Sequence, residues 1–371
     1  MTKIEHSLDE KDIEFFNSAF QKYIDDGGNL EKLQNLIDST DFIPNTLEKL
    51  NSTISWDHFN SILDKKDANL QIIHKGLKEY GEQRNSLWKE PFELFETMIY
   101  VSKEISDEIY SQKIDNKDQK EEDLVLSSIF QLHCLACRIA QEIIILMQAG
   151  FPDGAIARWR TLHEVVVISY FIRKNGHEIA YKFLLHDAIE SYNSIEKYIR
   201  KPELFEKHQR ALNGLLPPLE ELTNIKKIKE MLCEKFDPEF ENTYGWAANI
   251  IPDPKNIQEF LKNPNFSNIE ENVGLDHLRP YYKMANISVH AGSKGIKFSL
   301  TSSKNYSLCS GPAILGMADP GQLSAISLFQ INVILLSTSP SIRHQADSSA
   351  LKMLLEKIKK SFIEVHFFTI D

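Results

Sequence analysis

The chain has 371 residues and a formal net charge of −11, enough length for one large core or two modest ones and no global field that would draw in nucleic acid. An extended duplex-DNA surface is therefore not expected, although a local basic pocket remains compatible with this balance. Four cysteines make a poor disulfide framework for this length and point to a reduced, cytoplasmic compartment.

Residues 1–66 read as a helical extension. Ile13, Phe16, Phe20 and Ile24 recur at helical spacing, Gly27-Gly28 stops that run, and short helices follow around 29–38 and 43–51, broken at Pro44. The N-terminus is polar and lacks an apolar signal core. Residues 67–371 form the main domain. It opens with a helical region over 67–112, interrupted near Trp88-Lys89-Glu90-Pro91 because proline breaks the hydrogen-bond ladder. A charged linker, 113–123, leads into a strongly apolar helix over 124–149.

The Gly150-Phe151-Pro152-Asp153 turn, with Asp153 as N-cap, folds this helix back on a second one. That second helix runs from Asp153 through Val165-Val166-Val167-Ile168, polar at its start and apolar on every side at its end, as suits a helix at the centre of a protein. Its longest apolar run, like Ile143–Met147 before it, falls short of the ~20 residues that span a bilayer, so no membrane partner is expected.

Further helices are expected at 177–199, 275–291, 320–338 and 344–367. The stretch 200–235 is polar and locally basic, and 237–270 is loop-rich. Ile296–Leu300 and Tyr306–Leu308 predict one small β-hairpin near 296–308. The fold class is all-α: a multi-helix bundle around a central antiparallel helical hairpin.

Chemistry concentrates on that hairpin. Arg160, His163 and Glu164 share one face of the second helix, since residues three and four apart stand above one another. Arg138 and Glu142 are matched on the first helix. Charge carried into an interior is costly unless it is paired or used. Two uses fit: a polar pocket in which arginine holds an anion and histidine moves a proton, or an ion network that sets helix register. Asn286 precedes His290 by four and joins the candidate site, with His186, Trp159, Tyr244 and Trp246 as candidate binding residues. Core packing is the ordinary use of such aromatics.

No metal or cofactor is expected. His163-Glu164 lacks the second histidine of HExxH, Cys134 and Cys137 sit inside an apolar helix with no second CxxC, and there is no GxGxxG or GxxxxGK[ST].

Arg158 and His163 have the spacing Arg-x-x-x-x-His, which resembles the ribonuclease motif of the HEPN (higher eukaryotes and prokaryotes nucleotide-binding) superfamily. That resemblance implies metal-independent RNA cleavage, usually by a homodimer. The residue after the arginine is usually polar there and is Trp159 here. Five helical residues also turn through about 140°, so the pair cannot meet on one undistorted helix. The reaction would need a second subunit, or Arg160 in place of Arg158.

A second resemblance spans about 75–340. Asp153-Gly154-Ala155 with Ala157 to Glu164, Tyr244-Gly245-Trp246-Ala247, Tyr282 to Ala285 leading to Val289-His290-Ala291-Gly292, and Gly311-Pro312 with Asp319-Pro320-Gly321 resemble the bacterial domain of unknown function 5677. The resemblance implies a mostly helical cytoplasmic protein with no assigned activity or catalytic residues, loosely associated with defence-like genes.

Two functions lead, and metal-dependent hydrolysis ranks below both. One is a HEPN-like ribonuclease acting in defence or stress, with Arg158, Arg160, His163, Glu164, Asn286 and His290 as its catalytic set. The other is a non-enzymatic module that senses a small anionic ligand or a protein partner. RNA, a small anion and a second copy of the chain are the corresponding partners.

Overall fold

The computed structural model describes residues 55, 56, 58–115, 123–201, 203, 219–290, 293 and 311–368. The chain divides into two units, Met1–Gly76 and Leu77–Asp371. The helices expected before residue 52 and the β-hairpin expected at 296–308 lie outside the described residues.

Helices among the described residues include α1 (Lys66–Leu87), α2 (Lys89–Asp115), α3 (Leu124–Ala149), α4 (Pro152–Asn175), α5 (His177–Leu185), α6 (Asp187–Arg200), α7 (Leu219–Phe236), α8 (Phe266–Asn272), α9 (Arg279–Val289), α10 (Ala318–Ser337) and α11 (Ile342–Phe368). The one sheet among the described residues is a tight antiparallel pair, β1 (Pro252–Asp253) and β2 (Asn256–Phe260), in register Pro252 to Phe260 and Asp253 to Asn256. This pair falls in a stretch expected to be loop. Its strands are short and polar, with none of the alternation that marks a half-buried strand. A local bond from Lys255 N–H to Asp253 Oδ1, 2.8 Å, shapes its turn.

The hairpin of α3 and α4 is the centre. Asp123 caps α3, its Oδ1 accepting from the Val125 and Leu126 N–H groups at 3.0 Å. Gly150 ends the helix in the left-handed region at φ 89°, and its N–H returns to the Leu146 and Met147 carbonyls. The cap of the next helix lies two residues earlier than expected. Phe151 occupies the N-cap without a side-chain bond, Pro152 takes the first helical position, and Asp153 lies in the first turn, where its charge still favours the helix dipole.

Val165, Val166, Val167, Phe171 and Ile172 are all buried on α4, so a β-branched run stays helical because packing outweighs propensity. Two expected helices begin or break elsewhere. His186 separates α5 from α6, and α9 opens only at Arg279, after a 3₁₀ turn over Asp276–Leu278.

Packed against α3 and α4 is α10, which in turn packs on α2 and α11. Here Asp319-Pro320-Gly321 finds its purpose. Phe362 of α11 lies directly over Gly321, and its ring completes an aromatic trio with Trp88 (5.9 Å between centroids) and Phe92 (6.2 Å). By length and composition, α3 and α10 would suffice to cross a membrane, but 50% and 67% of their most apolar windows are buried inside the protein. On the other flank of α4 sit α8 and α9, and they build the site.

Candidate functional site

Helix α4 presents His163 to α8 and α9. Its Nε2 lies 2.6 Å from Glu270 Oε1, and both side chains have 0% exposure. The other Glu270 oxygen forms an ion pair with Arg279 Nη2, poorly aligned for a hydrogen bond. A carboxylate paired with a guanidinium accepts and does not donate, so His163 Nε2 carries the proton. Nδ1 is left buried without a hydrogen-bond partner. Rings surround the imidazole: Trp159 stacked at 5.5 Å, Tyr282 tilted at 5.9 Å and Phe266 edge-on at 6.1 Å.

At the next position on α4, Glu164 accepts a short hydrogen bond from the Tyr282 hydroxyl. Arg160 Nη2 reaches the same Glu164 oxygen at 3.3 Å, and its guanidinium carbon lies 4.7 Å from the Tyr282 ring centre. Arg279 stands 5.4 Å from that ring and from Phe266. Tyr282 thus separates two guanidiniums, and its hydroxyl is pushed well above the phenolic range by burial and then by Glu164. Tyr244 belongs to the same electrostatic group. Burial first, then the Glu164 charge, pushes its hydroxyl up to about 12.

Several buried polar atoms in this region have no hydrogen-bond partner: Arg160 Nε, Arg279 Nε and Asn286 Oδ1, besides His163 Nδ1. Asn286 follows Tyr282 by one turn, on the same face of α9. Such groups are costly unless something pairs with them.

The structure divides the sequence candidates. Arg160, His163 and Glu164 come together, with Trp159 beneath them donating from Nε1 to Ser327 Oγ at 3.0 Å. Arg158 points elsewhere and binds Glu142, which also meets Arg138 Nε at 3.4 Å, so these three form a half-exposed network between α3 and α4. The pairing of Asn286 with His290 depended on a helix reaching 291. In fact α9 stops at Val289, and His290 is an exposed C-cap in extended conformation. Deep inside another part of the fold, His186 bonds to the Asn242 carbonyl at 2.9 Å. Trp246 is core, edge-on to Phe171 and Phe183.

Sequence reasoning missed Glu270 and Arg279 and did not give Tyr282 a role. Arg279, Tyr282 and Asn286 have spacing i, i+3, i+7, a polar helix line that was available to read. Glu270 had no such signal, being on a seven-residue helix 107 positions from His163. Among the described residues no three His, Cys, Asp or Glu side chains form a metal-ligating group.

His133 and Cys137 form a separate buried network. Asn332 Nδ2 donates to the Leu328 carbonyl (2.7 Å) and to Ser102 Oγ (2.8 Å), which leaves Oδ1 to accept from His133 Nε2 at 2.9 Å. His133 Nδ1 then accepts from the Cys137 thiol at 3.7 Å. Burial pushes that thiol up to about 12, so it behaves as a packed, unreactive group.

Comparison with curated proteins and with solved structures returns no match. A family model, that of a family of unknown function (DUF5677), matches residues 126–307, from the start of α3 to beyond α9. Within those bounds lie Arg160, His163, Glu164, Glu270, Arg279 and Tyr282. Over residues 126–307, this chain is similar to the family of unknown function DUF5677.

Proposed function

We propose that the chain is a cytoplasmic, non-enzymatic binding module whose polar group between α4 and α9 senses a small anionic ligand through Arg160. The observation that carries this reading is the state of that arginine. Its Nε is buried and unpartnered, its one carboxylate contact is at 3.3 Å to an oxygen already bonded by Tyr282, and its face rests on the Tyr282 ring. With its Nε making no hydrogen bond and 29% of its side chain exposed, against 18% for Arg279, Arg160 is the more accessible cation of the group. An Nε/Nη edge is the fork that takes a carboxylate or phosphate in two parallel hydrogen bonds.

The ribonuclease reading has less support. His163 is sealed on Glu270, and Arg158 is held by Glu142 on a different face. Free thiols at Cys134, Cys137 and Cys233 suit the cytoplasmic location.

Titration calorimetry with acetate, other small carboxylates and inorganic phosphate tests the reading. Arg160→Gln should weaken binding at least tenfold, and Arg158→Gln should leave it within twofold of wild type. Incubated with RNA in EDTA, the protein should leave the RNA intact. Cleavage that His163→Ala abolishes would replace this reading with the metal-independent nuclease.

A further inference from the structure

The charges around Arg160 narrow the ligand class, an inference that rests on the anion-binding reading above. Arg160 faces Glu164 and Arg279 faces Glu270, so the two cations and two anions of the group already cancel. A plain anion docking on Arg160 would leave the Glu164 carboxylate beside it, deprived of its cation in a half-buried setting where isolated charge is expensive. A ligand that carries its own positive charge avoids this.

We infer that the site takes a small zwitterion of the α-amino acid class. Its carboxylate lies on the Nε edge of Arg160 and its ammonium on Glu164, so the ligand enters the 3.3 Å ion pair and replaces one pair with two. Three observations support this class over a simple carboxylate or phosphate. First, the Arg160–Glu164 contact is the loose pair of the group, whereas Arg279–Glu270 is closed, Glu270 being fully buried and also bonded to His163. Second, the unpartnered atoms have both signs: Arg160 Nε and Arg279 Nε are donors, and Asn286 Oδ1 is an acceptor that demands an N–H or O–H from whatever binds. A carboxylate offers no such donor, and an ammonium offers three. Third, Tyr282 braces both members of the pair, its ring under Arg160 and its hydroxyl on Glu164, so the two ends are held in place as the ligand enters.

The test compares three forms of the same compounds on the wild-type chain by titration calorimetry and thermal shift: free α-amino acids, their N-acetyl derivatives and their amides. The twenty common amino acids are screened first as a mixture and then singly. At least one free amino acid should bind, with the N-acetyl and amide forms of that compound at least tenfold weaker. In Glu164→Gln the preference for the free form over the N-acetyl form should collapse to within about threefold, and in Arg160→Gln both forms should be lost.

Equal binding of the N-acetyl and free forms by wild type would overturn the zwitterion inference and leave the anion-binding reading standing. Failure of free, N-acetylated and simple carboxylates alike to bind would overturn both. Because the wild-type comparison decides by itself, a variant that fails to fold, as judged by circular dichroism, does not rescue the proposal.

Discussion

His163 and Glu270 lie 107 residues apart in the chain and meet through a 2.6 Å hydrogen bond with both side chains fully buried. That bond joins the central helix to α8, and through Glu270 to Arg279 it joins α9 as well. It is the point at which the site and the fold depend on the same groups.

Removing the shared carboxylate should therefore unfold more than it disables. Glu270→Ala leaves a buried guanidinium without its anion and an imidazole N–H without its acceptor. The expected loss is about 3–5 kcal/mol, the usual cost of breaking a buried pair from one side. Urea denaturation of the variant beside wild type measures it. A loss below about 1 kcal/mol would mean that the bond contributes little and that α8 is held by its apolar contacts alone.

His133 should make stability depend on pH. Burial pulls its imidazole down to about 4 from the ordinary 6.5. The unfolded chain takes up this proton near pH 6.5, and the folded chain does so only near 4. The stabilisation is thus complete above pH 6.5 and disappears as pH falls from there toward 4, by about 3 kcal/mol in total. His133→Leu should flatten that part of the pH–stability curve. At pH 7 it should cost about 1–3 kcal/mol, because Asn332 Oδ1 loses its donor. Urea midpoints at several pH values for both proteins check the prediction, and an unchanged slope would refute it.

Two signature glycines should prove structural. A Cβ on Gly245 would come within 2.5 Å of the Phe240 carbonyl oxygen, and backbone cannot step aside as a side-chain tip can. A Cβ on Gly321 would run into the ring of Phe362, which is locked between Trp88 and Phe92. Gly245→Ala and Gly321→Ala should each destabilise by about 1–3 kcal/mol through overpacking. Thermal melts report the loss, and an Arg160-dependent ligand should bind both variants normally once they are folded.

Arg84 should not be replaceable by lysine. Its buried guanidinium donates from Nε to the Gln148 carbonyl at 2.9 Å and from Nη1 to the Ala313 carbonyl at 3.5 Å, tying the end of α3 to the segment before α10. Gly150 N–H and carbonyl lie in the same knot, the carbonyl accepting from Ala313 N–H at 2.7 Å. An ammonium keeps the charge but not the fork, so Arg84→Lys should lose about 1–3 kcal/mol as carbonyl partners go unpaired. A melting temperature equal to wild type would show that one donor is enough.

What the sequence determined by itself was the local part. The α3–α4 hairpin follows from apolar periodicity and the Gly150 stop, and the common face of Arg160, His163 and Glu164 follows from helical spacing, which also separates Arg158 from His163. Caps, turns and periods act within a few residues, so they are legible without the fold. The short β-pair was not, because two- and five-residue polar strands carry no pattern.

Tertiary structure alone decided what each face meets. Glu142 took Arg158, Glu270 took His163, Trp246 went to the core with Phe171 and Phe183, and the early end of α9 left His290 in solvent. A period says which side of a helix points inward. The partner waiting there comes from an element tens of residues away, and only the packing of the whole chain brings the two within hydrogen-bonding distance.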